Sequence, residues 1–176
     1  STTARLQEHG IHTVHNPTNA ANVVWGKNCL SDWLGTTEWD AVSVNFGLHD
    51  LSLTNERVEP SVYRALLSHI LSTIALKLPQ AKIILVTTTP APSATLYPPR
   101  RWKDVRIYNL AALGALKDAG LDGQPRISLL DLYTLVEHRC GRSPYLDCPR
   151  FQQKNNVHFT EDGYEFIGEA YSTAVL

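Results

Sequence analysis

Three short apolar segments recur along the chain at wide intervals. They are residues 39–46 (WDAVSVNF), 81–89 (AKIILVTTT) and 126–132 (RISLLDL). Continuous apolar runs of this length, rich in β-branched residues, are typical of strands inside a sheet. In residues 11–15 (IHTVH) apolar and polar residues alternate instead, which also predicts a strand. The pattern therefore predicts four strands.

Segments with helical spacing of apolar residues lie between these strands. The clearest is residues 60–79, which opens with Pro60 and Ser61. Its apolar positions repeat every three or four residues, at Val62, Leu66, Leu67, Ile70, Leu71 and Ile74. Further helices are predicted at residues 2–10, 26–35, 105–120 and 160–176. Because strands alternate with helices, we expect an α/β fold with a parallel sheet and helices on both faces.

The composition fits one domain. The chain has 176 residues, of which 43% are hydrophobic, so we predict a single domain over residues 1–176. Its formal net charge is −1 and the charges are interspersed, which excludes the basic surface of a nucleic-acid binder. No apolar run approaches the roughly 20 residues of a membrane span. No motif indicates a metal or a cofactor.

Cys140 and Cys148 bracket a segment with a glycine and a proline (CGRSPYLDC), which permits a tight loop. A disulfide between them is the favoured interpretation, and it would imply a secreted protein or one in the lumen of a secretory organelle. The alternative is a pair of buried thiols in a reducing compartment. Metal binding is disfavoured, because no histidine or further cysteine lies at ligand spacing.

Candidate functional residues follow the predicted strands or precede the last helix. The segment NFGLHD (45–50) leaves one strand, TTTPAPS (87–93) leaves the next, and NNVHFT (155–160) comes just before the final helix. Active sites of parallel sheets collect at the carboxyl ends of the strands. We therefore expect His158 to face a cleft, although a loop histidine can also be purely structural.

These segments, in this order, resemble the SGNH (GDSL-type) hydrolases. Four sequence blocks build the site of that family: a Gly-Asp-Ser after the first strand, a glycine after the second, a Gly-x-Asn-Asp after the third, and an Asp-x-x-His before the last helix. The resemblance is greatest to a branch whose third block reads Gly-Leu-His-Asp. The resemblance rests on residues 17–51, on TTTPAPS, YNLAALGAL and DLYTLV, and on NNVHFTEDGY (155–164). It implies a flavodoxin-like three-layer α/β/α sandwich, with the first strand possibly missing here. It also implies cleavage of small acyl or carbohydrate esters by a serine, a histidine and an aspartate.

The resemblance assigns roles to two residues of the last block. His158 matches the catalytic base, which takes a proton from the serine. Asn155 stands where the family has the aspartate that orients this histidine. An asparagine can still accept the ring N–H, but it carries no charge, and the same change in a serine protease lowers turnover by about 10⁴-fold.

The same resemblance places an oxyanion hole in the second and third blocks. His49 occupies the position of the family's asparagine and can donate an imidazole N–H to a developing oxyanion. Ala20 stands where a glycine supplies a backbone N–H, which an alanine can also supply if φ is negative there. Gly47 and Asp50 of the third block are predicted to shape and brace the loop.

The nucleophile of the family is missing from the sequence. No Gly-Asp-Ser occurs, and Ser1, which has no strand before it, is a weak substitute. The chain has no methionine, so we expect it to be a mature product or part of a longer chain, lacking the Gly-Asp-Ser block. Two hypotheses remain: an ester hydrolase, or an inactive SGNH-fold protein that serves as a binding or scaffold subunit of a larger assembly. The loop at Arg100, Arg101 and Trp102 is a candidate substrate rim or protein contact, and the alternative is a solvated proline-rich loop.

Overall fold

The computed structural model describes residues 2–16, 19–54, 57–92, 96–140, 148 and 150–176. The helices are α1 (Thr2–Glu8), α2 (Val23–Leu34), α3 (Pro60–Lys77), α4 (Trp102–Asp118), α5 (Leu132–Cys140) and α6 (Glu161–Val175). The strands are β1 (Ala41–Val44), β2 (Lys82–Val86) and β3 (Ile127–Leu130). The predicted alternation of strands and helices is confirmed over most of the described chain.

The three strands form one parallel sheet in the order β1-β2-β3. Val42 on β1 stands beside Ile83 on β2, which in turn stands beside Ile127 on β3. In the central strand β2, Ile83, Ile84, Leu85 and Val86 are all buried, as expected for a strand covered on both faces.

Successive residues of β2 pack into different layers because side chains alternate across a strand. Ile83 and Leu85 join the large core cluster formed with residues of α2, α3 and α4. Ile84 and Val86 join a second cluster with Leu130 and with residues of α6. The fold is therefore a three-layer α/β/α sandwich, and the α/β class predicted from the sequence is confirmed.

The predicted strand at residues 11–15 is wrong. These residues form neither a strand nor a helix, and Val14 is 62% exposed. Among the described strands none lies against them, and an alternating pattern forms a strand only where a neighbour accepts its backbone hydrogen bonds.

Helix α5 was not predicted from the apolar pattern of the sequence. Its start is fixed by the Asp131 carboxylate, which accepts hydrogen bonds from the backbone N–H of Thr134 at 3.1 Å and from the hydroxyl of Thr87 at 2.9 Å. An acceptor just before a helix stabilises its first turn. Because Thr87 follows β2 and Asp131 follows β3, these hydrogen bonds also connect the carboxyl ends of the two strands.

The disulfide between Cys140 and Cys148 is present, with Cα atoms 5.3 Å apart. It closes the segment that follows α5, while residues 141–147, the proposed tight loop, lie outside the described residues. None of the helices in the described part of the chain has the length and apolar character that a membrane span needs.

Candidate active site

A cleft of about 560 Å³ lies at the carboxyl ends of the strands. Four loops line it, through residues 19–21, 45–49, 96–98 with 100, and 155–158. The second of these leaves β1, the third follows β2, and the fourth precedes α6. The structure thus brings Ala20, His49, Asn155 and His158 together around one cleft.

Asp50 lies beneath this cleft and is completely buried. Its Oδ1 accepts the backbone N–H of Val23 at 2.9 Å, and its Oδ2 accepts that of Gly47 at 3.0 Å. The carboxylate therefore ties the loop after β1 to the first turn of α2. Burial raises the pKa of Asp50 to about 6, against the hydrogen bonds from Val23 and Gly47, which lower the pKa.

Gly47 is in a conformation that other residues rarely adopt, with φ of 132°. A Cβ atom there would collide with the hydroxyl of Thr88. That hydroxyl donates to the carbonyl of Phe46 at 2.9 Å, and the phenol of Tyr63 donates to the same carbonyl at 3.0 Å. The glycine thus allows the loop to pass close to the end of β2.

His49 faces the loop that contains Asn19. The Nδ2 atom of Asn19 lies 3.1 Å from Nε2 of His49, and Asn19 Oδ1 accepts the backbone N–H of Ala21 at 2.9 Å. Because a backbone N–H can only donate, the amide orientation is fixed and Nδ2 is the donor to His49. Nε2 of His49 is therefore an acceptor here, and the proton of the neutral ring lies on Nδ1.

The positive backbone angle in the second block falls on Ala21, with φ of 52°, and not on Ala20. Ala20 meets the condition of negative φ under which its N–H could serve an oxyanion. Ala21 occupies a left-handed conformation that favours glycine, and its N–H bonds to Asn19.

His158 is contacted by Asn156. The Nδ1 atom of His158 lies 2.7 Å from Oδ1 of Asn156, which also accepts the backbone N–H of His158 at 3.1 Å. Asn155 lines the same cleft and has φ of 53°. Asn156 was not among the candidates from the sequence. The signal that could have found it is the tendency of an asparagine side chain to hydrogen-bond the backbone two residues further on.

None of the described residues that line the cleft is a serine, threonine or cysteine. Ser1 lies outside the described residues. Thr87 and Thr88 are buried, and their hydroxyls donate to Asp131 and to the Phe46 carbonyl. In the described part of the chain, no three His, Cys, Asp or Glu side chains gather as a metal site would require.

The sequence profile of the GDSL-like Lipase/Acylhydrolase family matches residues 17–171. The chain belongs to this family. The family match extends from the Asn19 loop to α6 and so covers all four loops of the cleft. No curated protein matches the chain in sequence at a significant level.

Solved structures of three hydrolytic enzymes share the fold of this GDSL-family chain. An acetyl xylan esterase, AlAXEase, superimposes with a TM-score of 0.77 at 12% identity, over 99% of this chain and 88% of its own. An α/β hydrolase from the metagenome of Lake Arreo, Spain, gives 0.72 at 17% identity, over 97% and 75%. The lipase/acylhydrolase from Enterococcus faecalis gives 0.69 at 18% identity, over 99% and 82%.

Proposed function

We propose that the chain provides the base and the oxyanion donors of an ester hydrolase site. The observation that carries this proposal is the placement of His158 on the same cleft as Asn19, Ala20 and His49. His158 would take the proton of an attacking hydroxyl, and amide and backbone N–H groups across the cleft would stabilise the oxyanion.

The lining of the cleft favours a neutral, hydroxyl-rich substrate. Four asparagine side chains line it: Asn19, Asn45, Asn155 and Asn156. No aspartate or glutamate is among the described lining residues. Carboxamides both donate and accept hydrogen bonds, as sugar hydroxyls do. We therefore propose an ester of a small acyl group with a carbohydrate, a class that agrees with the name of the acetyl xylan esterase of similar fold.

Tyr97 adds an aromatic surface at the rim. Its side chain is 95% exposed although it lines the cleft. The adjoining backbone is held to the loop after β1, because Arg100 donates to the carbonyl of Leu48 at 2.8 Å and the N–H of Leu53 donates to the carbonyl of Pro99 at 2.8 Å. An exposed ring on a held loop can stack on a sugar with little loss of conformational entropy. In this proposal the rim binds substrate through Tyr97 and Arg100.

The nucleophile in this proposal is a serine outside the described lining residues. A fluorophosphonate probe, which reacts with activated serines, tests this in the native protein. We expect covalent labelling that is lost in His158→Ala, and peptide mass spectrometry would then locate the serine. Native protein that is neither labelled nor hydrolytic would contradict the esterase proposal.

A second candidate is a binding subunit that has the fold without the reaction. The absence of a serine, threonine or cysteine hydroxyl or thiol among the described lining residues favours it, as does the uncharged Asn155. Calorimetry with an acetylated xylo-oligosaccharide separates the candidates, because a sugar-binding subunit gives heat of binding without hydrolysis. In either case the disulfide is compatible with an extracellular location, and we propose a secreted or luminal protein.

A further inference from the structure

We infer that Asn156, held by Gln153, is the residue that positions His158 for proton transfer. This inference rests on the proposed function, in which His158 is the base. It assigns the orienting role to the residue two positions before the histidine, although the family comparison drew attention to Asn155.

The orientation of the Asn156 amide is fixed by its own turn. Its Oδ1 accepts the backbone N–H of His158 at 3.1 Å. A backbone N–H cannot accept a hydrogen bond, so the atom facing it must be the oxygen. The same oxygen lies 2.7 Å from Nδ1 of His158.

Gln153 fixes the same amide from its other end. Nδ2 of Asn156 donates to Oε1 of Gln153 at 3.3 Å, and Nε2 of Gln153 donates to the carbonyl of Phe159 at 3.0 Å. A carbonyl can only accept, so the Gln153 amide has one orientation, and its oxygen must face Asn156. The backbone N–H of His158 and the carbonyl of Phe159 therefore require the same orientation of the Asn156 amide.

The consequence is a defined tautomer of His158. Because Oδ1 of Asn156 accepts, Nδ1 of the neutral ring carries the proton, and Nε2 keeps its lone pair. A histidine that acts as a general base through Nε2 needs this tautomer. An amide holds the tautomer as a carboxylate would, but it lacks the charge that would stabilise the imidazolium formed in the transition state.

The backbone explains why the contact falls on Asn156. Asn155 has φ of 53°, a left-handed conformation that asparagine tolerates better than most residues. The chain turns at this residue, and the next side chain bonds back to the histidine. Asn155 in this view contributes a conformation, and Asn156 contributes the contact.

Nitrogen NMR of protein labelled with ¹⁵N in its histidines tests the inference without any substrate. We expect His158 of the natural chain to populate the Nδ1–H tautomer over the Nε2–H tautomer by about tenfold, the ratio that one net hydrogen bond supplies. Asn156→Ala should remove most of this preference, and Gln153→Ala should reduce it. Asn155→Gly, which suits the positive φ, is the matched control and should leave the tautomer ratio unchanged.

Asn156→Asp gives a second readout. It keeps the acceptor and adds a charge beside His158, so the Nδ1–H tautomer should stay predominant in this variant. In hydrolytically active protein, kcat should fall by about 10²- to 10⁴-fold in Asn156→Ala with little change in KM, and Asn156→Asp should restore it.

The outcomes separate this inference from the proposed function. A predominant Nε2–H tautomer in the natural chain, or a ratio that Asn155→Gly changes and Asn156→Ala does not, overturns the inference whatever the activity. If Asn156→Ala does not fold, Gln153→Ala replaces it as the test: a reduced tautomer preference supports the inference, and an unchanged preference overturns it. The expected tautomer in a protein without esterase activity supports the positioning of His158 and contradicts the proposed function alone.

Discussion

Nδ2 of Asn19 lies 3.1 Å from Nε2 of His49, across two loops that are 30 residues apart in sequence. Asn19 is the donor in this pair, since its oxygen already accepts the N–H of Ala21. An amide nitrogen carries two hydrogens, and the one not directed at His49 can be donated to a ligand in the cleft. Asn19, together with Ala20, is therefore the donor we expect at the oxyanion, and His49 holds its amide in place.

The first prediction is that Asn19→Ala lowers kcat for p-nitrophenyl acetate by about 10²- to 10³-fold in hydrolytically active protein, the usual effect of removing one oxyanion donor. His49→Gln retains an acceptor for Asn19 and should lose less. Steady-state kinetics of the two variants measure this. A larger decrease of kcat in His49→Gln than in Asn19→Ala would show that His49, and not Asn19, donates to the oxyanion.

Asp50 gives a prediction about pH and stability. The pKa of Asp50 in the folded chain, about 6, lies above its ordinary value of 3.8, so folding favours the protonated form. The pKa shift of Asp50 therefore contributes about 3 kcal/mol to the free energy of unfolding. This contribution is fully present below pH 3.8 and is lost as the pH rises through about 6. Urea unfolding at pH 4 and at pH 7 measures it.

Asp50→Asn separates this effect from that of other titrating groups. The amide can accept only one of the two backbone N–H groups, from Val23 and Gly47, so the variant should be less stable at pH 4 by about 1–3 kcal/mol. Because the variant does not titrate at this position, its deficit should shrink by pH 7. A deficit that is the same at both pH values would show that Asp50 keeps its ordinary pKa.

The strand pattern shows how far the sequence specifies this fold. The apolar run at residues 83–86 identifies β2, because burial on both faces leaves no polar position among these four residues. The alternation in residues 11–15 has the same weight in the sequence, yet no described strand pairs with it. Whether such a segment becomes a strand depends on a neighbour, which local sequence does not encode.

The resemblance to the SGNH hydrolases supplied the candidates Ala20, His49 and His158, and their meeting at one cleft was predictable because loops after parallel strands lie at one edge of the sheet. Their contacts were not predictable. The pairing of His158 with Asn156 depends on the left-handed turn at Asn155, and the pairing of His49 with Asn19 depends on how two distant loops pack. Neither backbone angle nor loop packing is contained in residue spacing.

The left-handed conformation of Ala21 predicts a stabilising substitution. The left-handed conformation destabilises an L-residue by roughly 1–2 kcal/mol. Glycine avoids this strain, but the extra conformational freedom of its unfolded chain destabilises the fold by roughly 0.5–1 kcal/mol. Ala21→Gly should therefore stabilise the chain by up to about 1.5 kcal/mol and raise its melting temperature slightly. The control Ala20→Gly should lower it. Thermal melts that rank these two variants in the opposite order would contradict the assigned backbone.

Gly47→Ala should destabilise the chain by about 2–4 kcal/mol, because it combines an unfavourable φ with a collision at Thr88. Gly35→Ala is a matched control, since Gly35 also has positive φ but no atom within 4 Å of an added Cβ. Without a collision, it should cost about 1–3 kcal/mol from its backbone conformation alone. In a double-mutant cycle, Thr88→Ala should recover part of the Gly47→Ala loss, and strict additivity would disprove the collision.

The last prediction concerns Tyr97, whose ring is exposed at the rim of the cleft. Tyr97→Ala should weaken binding of an acetylated xylo-oligosaccharide by up to about tenfold, since the stacking surface is worth about 0.5–1.5 kcal/mol. Tyr97→Phe keeps the ring and should bind nearly as well as the natural chain. Binding is measured by calorimetry on a His158→Ala background, so that hydrolysis cannot consume the ligand. Because p-nitrophenyl acetate carries no sugar, its KM in active protein should be nearly the same in all three forms. An equal loss for the sugar ester and for p-nitrophenyl acetate would show that Tyr97 shapes the cleft as a whole and does not select carbohydrate.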